Sequence, residues 1–142
     1  MNVIKAIFIA GTVICSGLVN AQADPELECL GNTIYHSAFD HDFRGKVLTG
    51  ELVLNRVKSP DFPDTICSVV YQKDQFFWAN KRLPIVDNKQ YEQSMQIAYD
   101  LINTGSAETS TVLYRHHYLM PRPAWSYWRK KRFRHGDYIF YE

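Results

Sequence analysis

Apolar residues recur at three- and four-residue steps over Leu27, Leu30, Ile34, Tyr35 and Ala38, the period of an amphipathic helix. Asp24-Pro25 supplies its start, since proline is tolerated in a first turn. The pattern breaks at Phe39-Asp40-His41-Asp42-Phe43, a polar and irregular stretch. A second helix is expected from about Arg44 to Val57, with Val47, Leu48, Leu52 and Asn55 on one stripe. Glu51 falls on that inward stripe, where a carboxylate needs a partner, a shifted pKa or an opening to solvent. Pro60 and Pro63 stop the helix and stiffen the turn 58–64. Thr65 to Tyr71 is β-branched and apolar, and reads as a short helix or a strand. A third helix, capped by Asp87 or Asn88, places Tyr91, Met95, Ala98 and Ile102 on one face and ends at Gly105. Val112 to Tyr118 reads as a strand and Tyr138 to Tyr141 as a terminal one. The sum is a helix-rich α+β domain.

Ahead of this pattern, Lys5 gives a positive start, Ala6 to Val19 form an apolar stretch, and Ala21-Gln22-Ala23 is an A-x-A cleavage site. The stretch is 14 residues long and holds Gly11 and Gly17, short of the roughly 20 residues a bilayer span needs. Residues 1–23 are therefore expected to be a signal peptide, with an uncleaved anchor as the alternative. Residues 24–142 are expected to form one domain with a single modest core. The expected location is periplasmic or extracellular, with membrane contact only through an uncleaved leader, and the expected state is a monomer.

Charge adds one feature. From Asp24 onward the chain has 15 basic and 15 acidic residues, because Lys5 is the only charged residue before it. Thr109 to Gly136 carries seven Lys or Arg and no acid, whereas Asp24 to Glu51 carries six acids and two bases. The basic run Arg129-Lys130-Lys131-Arg132 suits either a solvated face or an anionic polymer. A neutral, exported chain argues against nucleic acid as partner. Cys29 and Cys67 remain after the leader, and an even pair in an oxidising compartment reads as one disulfide.

The stretch from Cys29 to Gln72 contains Asn32-Thr33-Ile34-Tyr35, Val53-Leu54-Asn55-Arg56-Val57 and Ser59-Pro60-Asp61-Phe62-Pro63-Asp64-Thr65-Ile66-Cys67, followed by Val69-Val70-Tyr71-Gln72. With Gln75-Phe76-Phe77-Trp78, Trp125 and the Gly136 to Tyr141 terminus, it closely resembles the SleB-like cell wall hydrolases. That resemblance implies a lysozyme-like, helix-rich domain acting on the β-1,4 glycan backbone of peptidoglycan. It also implies one catalytic glutamate in an E-A-R-G-E segment. Position by position, that glutamate falls on Ser37, the arginine on Phe39, the glycine on Asp40 and the second glutamate on His41, leaving Ala38 alone unchanged.

Breaking a glycosidic bond requires a proton on the leaving oxygen while positive charge grows on the sugar. A serine hydroxyl is far too weak an acid, and losing general acid catalysis typically costs about 10²- to 10⁴-fold. Glu51 is the first candidate to replace it, and Asp40 and Asp42 are the second choices; structural roles as buried partner or helix-end residue stand beside each. Tyr35, Gln75, Trp78, Tyr114 and Trp125 are the candidate sugar-binding residues, since flat aromatic faces cover saccharide C–H surfaces. No cofactor and no metal site are expected. Two rival readings remain: a catalytically silent peptidoglycan-binding protein, and a metal-dependent secreted hydrolase centred on His36 and His41.

Overall fold

The computed structural model describes residues 24–105 and 111–142, and the expected leader 1–23 lies outside them. Helix α1 spans Pro25–Ser37, with the Asp24 carboxylate accepting from the Glu26 N–H at 3.0 Å as N-cap. Helix α2 spans Phe43–Lys58 and begins on Asp42, whose carboxylate accepts from the Gly45 N–H at 2.8 Å. The Thr65 to Tyr71 ambiguity resolves as a short helix, α3, Ile66–Val70. Glu26 reaches across from α1 to accept from the Ile66 N–H at 2.6 Å, so a helix of one turn is held at its start by tertiary contact. Helix α4 spans Asn88–Thr104, capped by Asp87 and closed by Gly105 at φ 76°.

Three antiparallel strands follow: β1 Tyr114–His117, β2 Lys131–His135 and β3 Tyr138–Tyr141, in the spatial order β1-β3-β2. A 3₁₀ turn, Ala124–Tyr127, lies between β1 and β2. The first strand is shorter than the expected Val112 to Tyr118, and β2 lies in what reads by sequence as a solvated basic run.

Helix α2 separates two apolar clusters. Val53 and Leu54 join Leu30, Ile34, Val69, Val70, Ile97, Ala98 and Leu101 in the helical core. Leu48 and Leu52 instead pack beneath the sheet on Val112 and Phe140. Burying side chains as completely as Leu30, Ile34 and Val53 is worth roughly 1.5–3 kcal/mol each. Because α2 is covered on two sides, it also buries Lys46, whose Nζ donates to the side-chain oxygens of Gln90 and Gln93 on α4.

The face that α4 buries differs from the expected one. Ser94, Ile97, Ala98 and Leu101 are buried, Tyr91 and Met95 only half so, and Ile102 is exposed. Close approach selects the observed stripe. Gly50 of α2 leaves room for Leu101, and Gly31 of α1 leaves room for Met95, so α4 lies directly on two glycines. The expected disulfide joins Cys29 of α1 to Cys67 of α3 across a separation of 38 residues. Among the described residues no helix is long and apolar enough to cross a membrane.

Candidate functional site

The end of α1, the outer turns of α2, the 74–77 turn and the sheet enclose an open groove of about 830 Å³. Ser37 lines it at the last turn of α1, and Leu52 and Arg56 line it from α2. The sheet contributes Tyr114, Arg115, His116, His117 and Tyr138, and the 3₁₀ turn contributes Trp125.

One wall is aromatic. Trp125 stands 5.4 Å from the Tyr114 ring and 5.4 Å, edge on, from the Tyr141 ring. Arg129 stacks 4.2 Å above Tyr114 and donates to its hydroxyl at 2.8 Å, which fixes that ring. Phe77 and Met120 are well exposed at the groove edge, so apolar surface faces solvent there.

The floor is cationic. Arg115 donates to Thr49 Oγ1 at 2.7 Å and, at 3.5 Å, to the Ser37 carbonyl, with its guanidinium 4.5 Å over the Tyr138 ring. Arg56 donates from Nε to the Leu113 carbonyl at 2.8 Å and from Nη1 to Gln75 Oε1 at 2.9 Å, against the Phe62 ring. Burial, with the Arg115 charge second, pushes the Arg56 pKa down to about 10. Burial likewise lowers Arg115. The Ser37 hydroxyl oxygen is buried and meets no hydrogen-bond partner.

One carboxylate lines the groove among the described residues, that of Asp74. Asp74 has φ 61°, the left-handed region that side chains other than glycine visit rarely and Asp tolerates better than most.

A smaller recess of about 190 Å³ lies beside the groove, lined by Asp40, His41, Asp42, His135, Gly136 and Asp137. Tyr138 separates the two, its ring 5.1 Å from His41 on one side and beneath Arg115 on the other. Asp42 Oδ1 lies 2.8 Å from His135 Nε2; that contact, then the Gly45 N–H, holds the Asp42 carboxyl below its ordinary pKa.

The expected site residues thus divide. Gln75, Tyr114 and Trp125 line the groove, as does Ser37. Tyr35 does not: it is buried, and its hydroxyl accepts from the backbone N–H groups of Val86 and Asp87 at 3.0 and 3.1 Å. Trp78 does not either, being buried in the helical core with His36 stacked on it at 5.3 Å. Glu51 is buried in α2 and absent from the groove lining, because the α2 residues that reach the groove are one and five positions further on. Asp40 and Asp42 belong to the smaller recess, with Asp42 engaged as helix cap. The centre on His36 and His41 is not assembled, since one packs on Trp78 and the other on Tyr138. Among the described residues no three His, Cys, Asp or Glu side chains converge as a metal-binding group.

Arg56, Asp74 and Arg115 went unassigned by sequence reasoning. For Arg56 a signal existed: it follows Leu52 by one helical turn on the inward stripe.

The sequence model of the cell wall hydrolase family matches residues 40–141, beginning just after Ser37. The spore cortex-lytic enzyme of Bacillus cereus is 27% identical over 110 residues, which cover 77% of this chain and 40% of that enzyme. The chain therefore spans well under half the length of the curated relatives it matches. Among solved structures, the catalytic domain of the germination-specific lytic transglycosylase SleB from Bacillus anthracis superimposes with a TM-score of 0.70 at 23% identity, covering 87% of this chain and 98% of that one. The SleB catalytic domain of Bacillus cereus gives 0.69 at 23% identity, covering 87% and 94%. These likenesses establish the helix-rich α+β fold with its C-terminal three-stranded sheet.

Proposed function

Since the chain belongs to the cell wall hydrolase family, we propose that it is an exported peptidoglycan hydrolase that binds a glycan strand in the groove and cleaves its backbone, Asp74 supplying the proton. The carrying observation is a groove of about 830 Å³ with Tyr114 and Trp125 on one wall and a single lining carboxylate among the described residues. Clefts of roughly 300–1,000 Å³ suit small ligands and short oligomer segments. Aromatic rings offer sugars large, stiff contact surfaces with polar tips.

The single carboxylate that lines the groove among the described residues favours one chemistry over another. Glycosidases with two carboxylates hold them about 5–9.5 Å apart, one as acid and the other as nucleophile or base. With one, the fitting reaction is of the lytic transglycosylase type. Asp74 protonates the bridging O4 as the C1–O4 bond breaks, and the muramyl 6-hydroxyl bonds to C1, returning its proton to the carboxylate. The products are an anhydro-muramyl end and a free 4-hydroxyl, and no water is consumed. Asp74's left-handed backbone supports the choice, since strained conformations cluster at functional sites.

A second reading keeps the groove and drops the chemistry. Ser37 favours it, because a hydroxyl with no hydrogen-bond partner stands on the wall where the resemblance puts the acid. In that case the protein is a binder of the same polymer.

Incubation with purified sacculi, followed by mass spectrometry of the soluble products, separates the two. Anhydro-muropeptides that vanish with Asp74→Asn and persist with Ser37→Ala match the enzyme. Pelleting with sacculi and no release matches the binder. Neither release nor pelleting would end both readings.

A further inference from the structure

We infer that the groove recognises a carboxylate on its glycan ligand, received by the guanidinium groups of Arg115 and Arg56. The inference rests on the glycan reading above and adds a chemical requirement to it.

Both side chains line the groove, and neither has a carboxylate within ion-pair distance among the described residues. Arg56 is only 6% exposed. Its partners are a backbone carbonyl, an amide oxygen and the faces of Phe62 and Phe76, all neutral. Arg115 is half-buried, and it too meets only neutral groups: a hydroxyl, a carbonyl and an aromatic ring. A guanidinium carries five N–H donors, so each retains donors beyond the two bonds it makes. Two cations withdrawn from water near one another are costly, and the cost falls when an anion enters. Lys46, by contrast, is buried on the same helix but points to α4 and has its own amide partners.

Among the described residues the one acidic side chain that lines the groove, Asp74, is exposed in the 74–77 turn and is not paired with either arginine. A planar carboxylate fits the fork of an arginine and accepts two charge-assisted hydrogen bonds. Peptidoglycan can offer one from two places: the lactyl group of muramic acid in strands stripped of peptide, or the stem peptide where it is retained. A chitin-type oligomer offers none.

Calorimetric titration of the full protein with three tetrasaccharides tests the requirement. The first is chitotetraose, the second a peptide-stripped N-acetylglucosamine–N-acetylmuramic acid dimer of disaccharides, the third the same with its stems. At least one carboxylate-bearing ligand is expected to bind about 10-fold tighter than chitotetraose, the scale of one charge-assisted interaction. Preference for the second identifies the lactyl group, and preference for the third alone identifies the stem. Methyl esterification of the preferred ligand should return it to the chitotetraose level, a control that needs no variant. Arg56→Gln should shrink the preference, with circular dichroism to verify folding, and Arg115→Lys should retain part of it. Equal binding of all three would overturn the carboxylate requirement and leave strand binding intact. Binding of none would remove the glycan reading and this inference with it.

Discussion

Asp42 Oδ1 lies 2.8 Å from His135 Nε2, so the residue that caps α2 also grips the β2–β3 hairpin. The helical part and the sheet thereby share one carboxylate at the edge of the small recess. The His135 contact and the Gly45 N–H both favour the charged form and lower its pKa below the ordinary 3.8. A carboxylate depressed in the folded state adds stability that is present above its unfolded value and is lost as pH falls through the folded one. Thermal melts from pH 6 down to pH 2 should therefore show part of the acid destabilisation disappear in Asp42→Ala. That variant should also melt lower than the parent at pH 6, having lost a helix cap. Parallel acid profiles in the two proteins would contradict this role.

The Cys29–Cys67 bridge ties α1 to α3 across 38 residues. In the chain-entropy picture a loop of that size contributes roughly 3–4 kcal/mol. Urea unfolding of the protein with and without reductant should differ by about that amount, and Cys29→Ser/Cys67→Ser should match the reduced form. A difference under about 1 kcal/mol would mean that α3 is already held by Glu26 and the core.

A methyl group on Gly50 would come 2.5 Å from Leu101 Cδ1 and 3.0 Å from Ile34 Cδ1, both in the helical core. Two buried side chains would have to move together, and overpacking of this kind costs about 1–3 kcal/mol. Gly50→Ala should therefore destabilise despite alanine's better helix propensity. A stabilised variant in equilibrium unfolding would show that α4 can slide away from α2.

Much of the frame is legible in the sequence. The bounds of α1 and α2 follow from the Asp24 and Asp42 turns and the apolar stripes, and α4 from Asp87 and Gly105. Strand β2 was hidden because its sequence, Lys-Arg-Phe-Arg-His, is almost wholly polar; its apolar anchor is Phe133, stacked 4.9 Å from Phe140. The groove was half legible. Aromatic density singles out Tyr114 and Trp125, both of which line the groove, but gives no means of separating Phe77, 64% exposed, from Trp78, 5% exposed, since a turn sends neighbours opposite ways. Charge by itself suggests solvent for both arginines; the helical stripe hints at Arg56, and only the fold places Arg115 on a groove floor.

Replacing Ser37 by glutamate tests the groove from the other side. The Ser37 carbonyl already lies 3.5 Å from Arg115 Nη2, so a carboxylate at this position comes within reach of that guanidinium. Two opposing effects act on it. Burial at the end of α1 raises its pKa toward that of a working acid, and the Arg115 charge lowers it. Because Arg115 is already held by Thr49 and Tyr138, burial should leave enough of the acid form for proton delivery. Release of anhydro-muropeptides by Ser37→Glu in the Asp74→Asn background, which lacks the proposed acid, should then exceed that of Asp74→Asn alone by about 10²-fold or more, the lower end of what general acid catalysis supplies. In its ionised fraction the same carboxyl places a negative charge beside Arg115, so any preference for carboxylate-bearing tetrasaccharides over chitotetraose should shrink in parallel. A folded variant with neither gain in release nor loss of preference would mean that residue 37 does not face the bound strand.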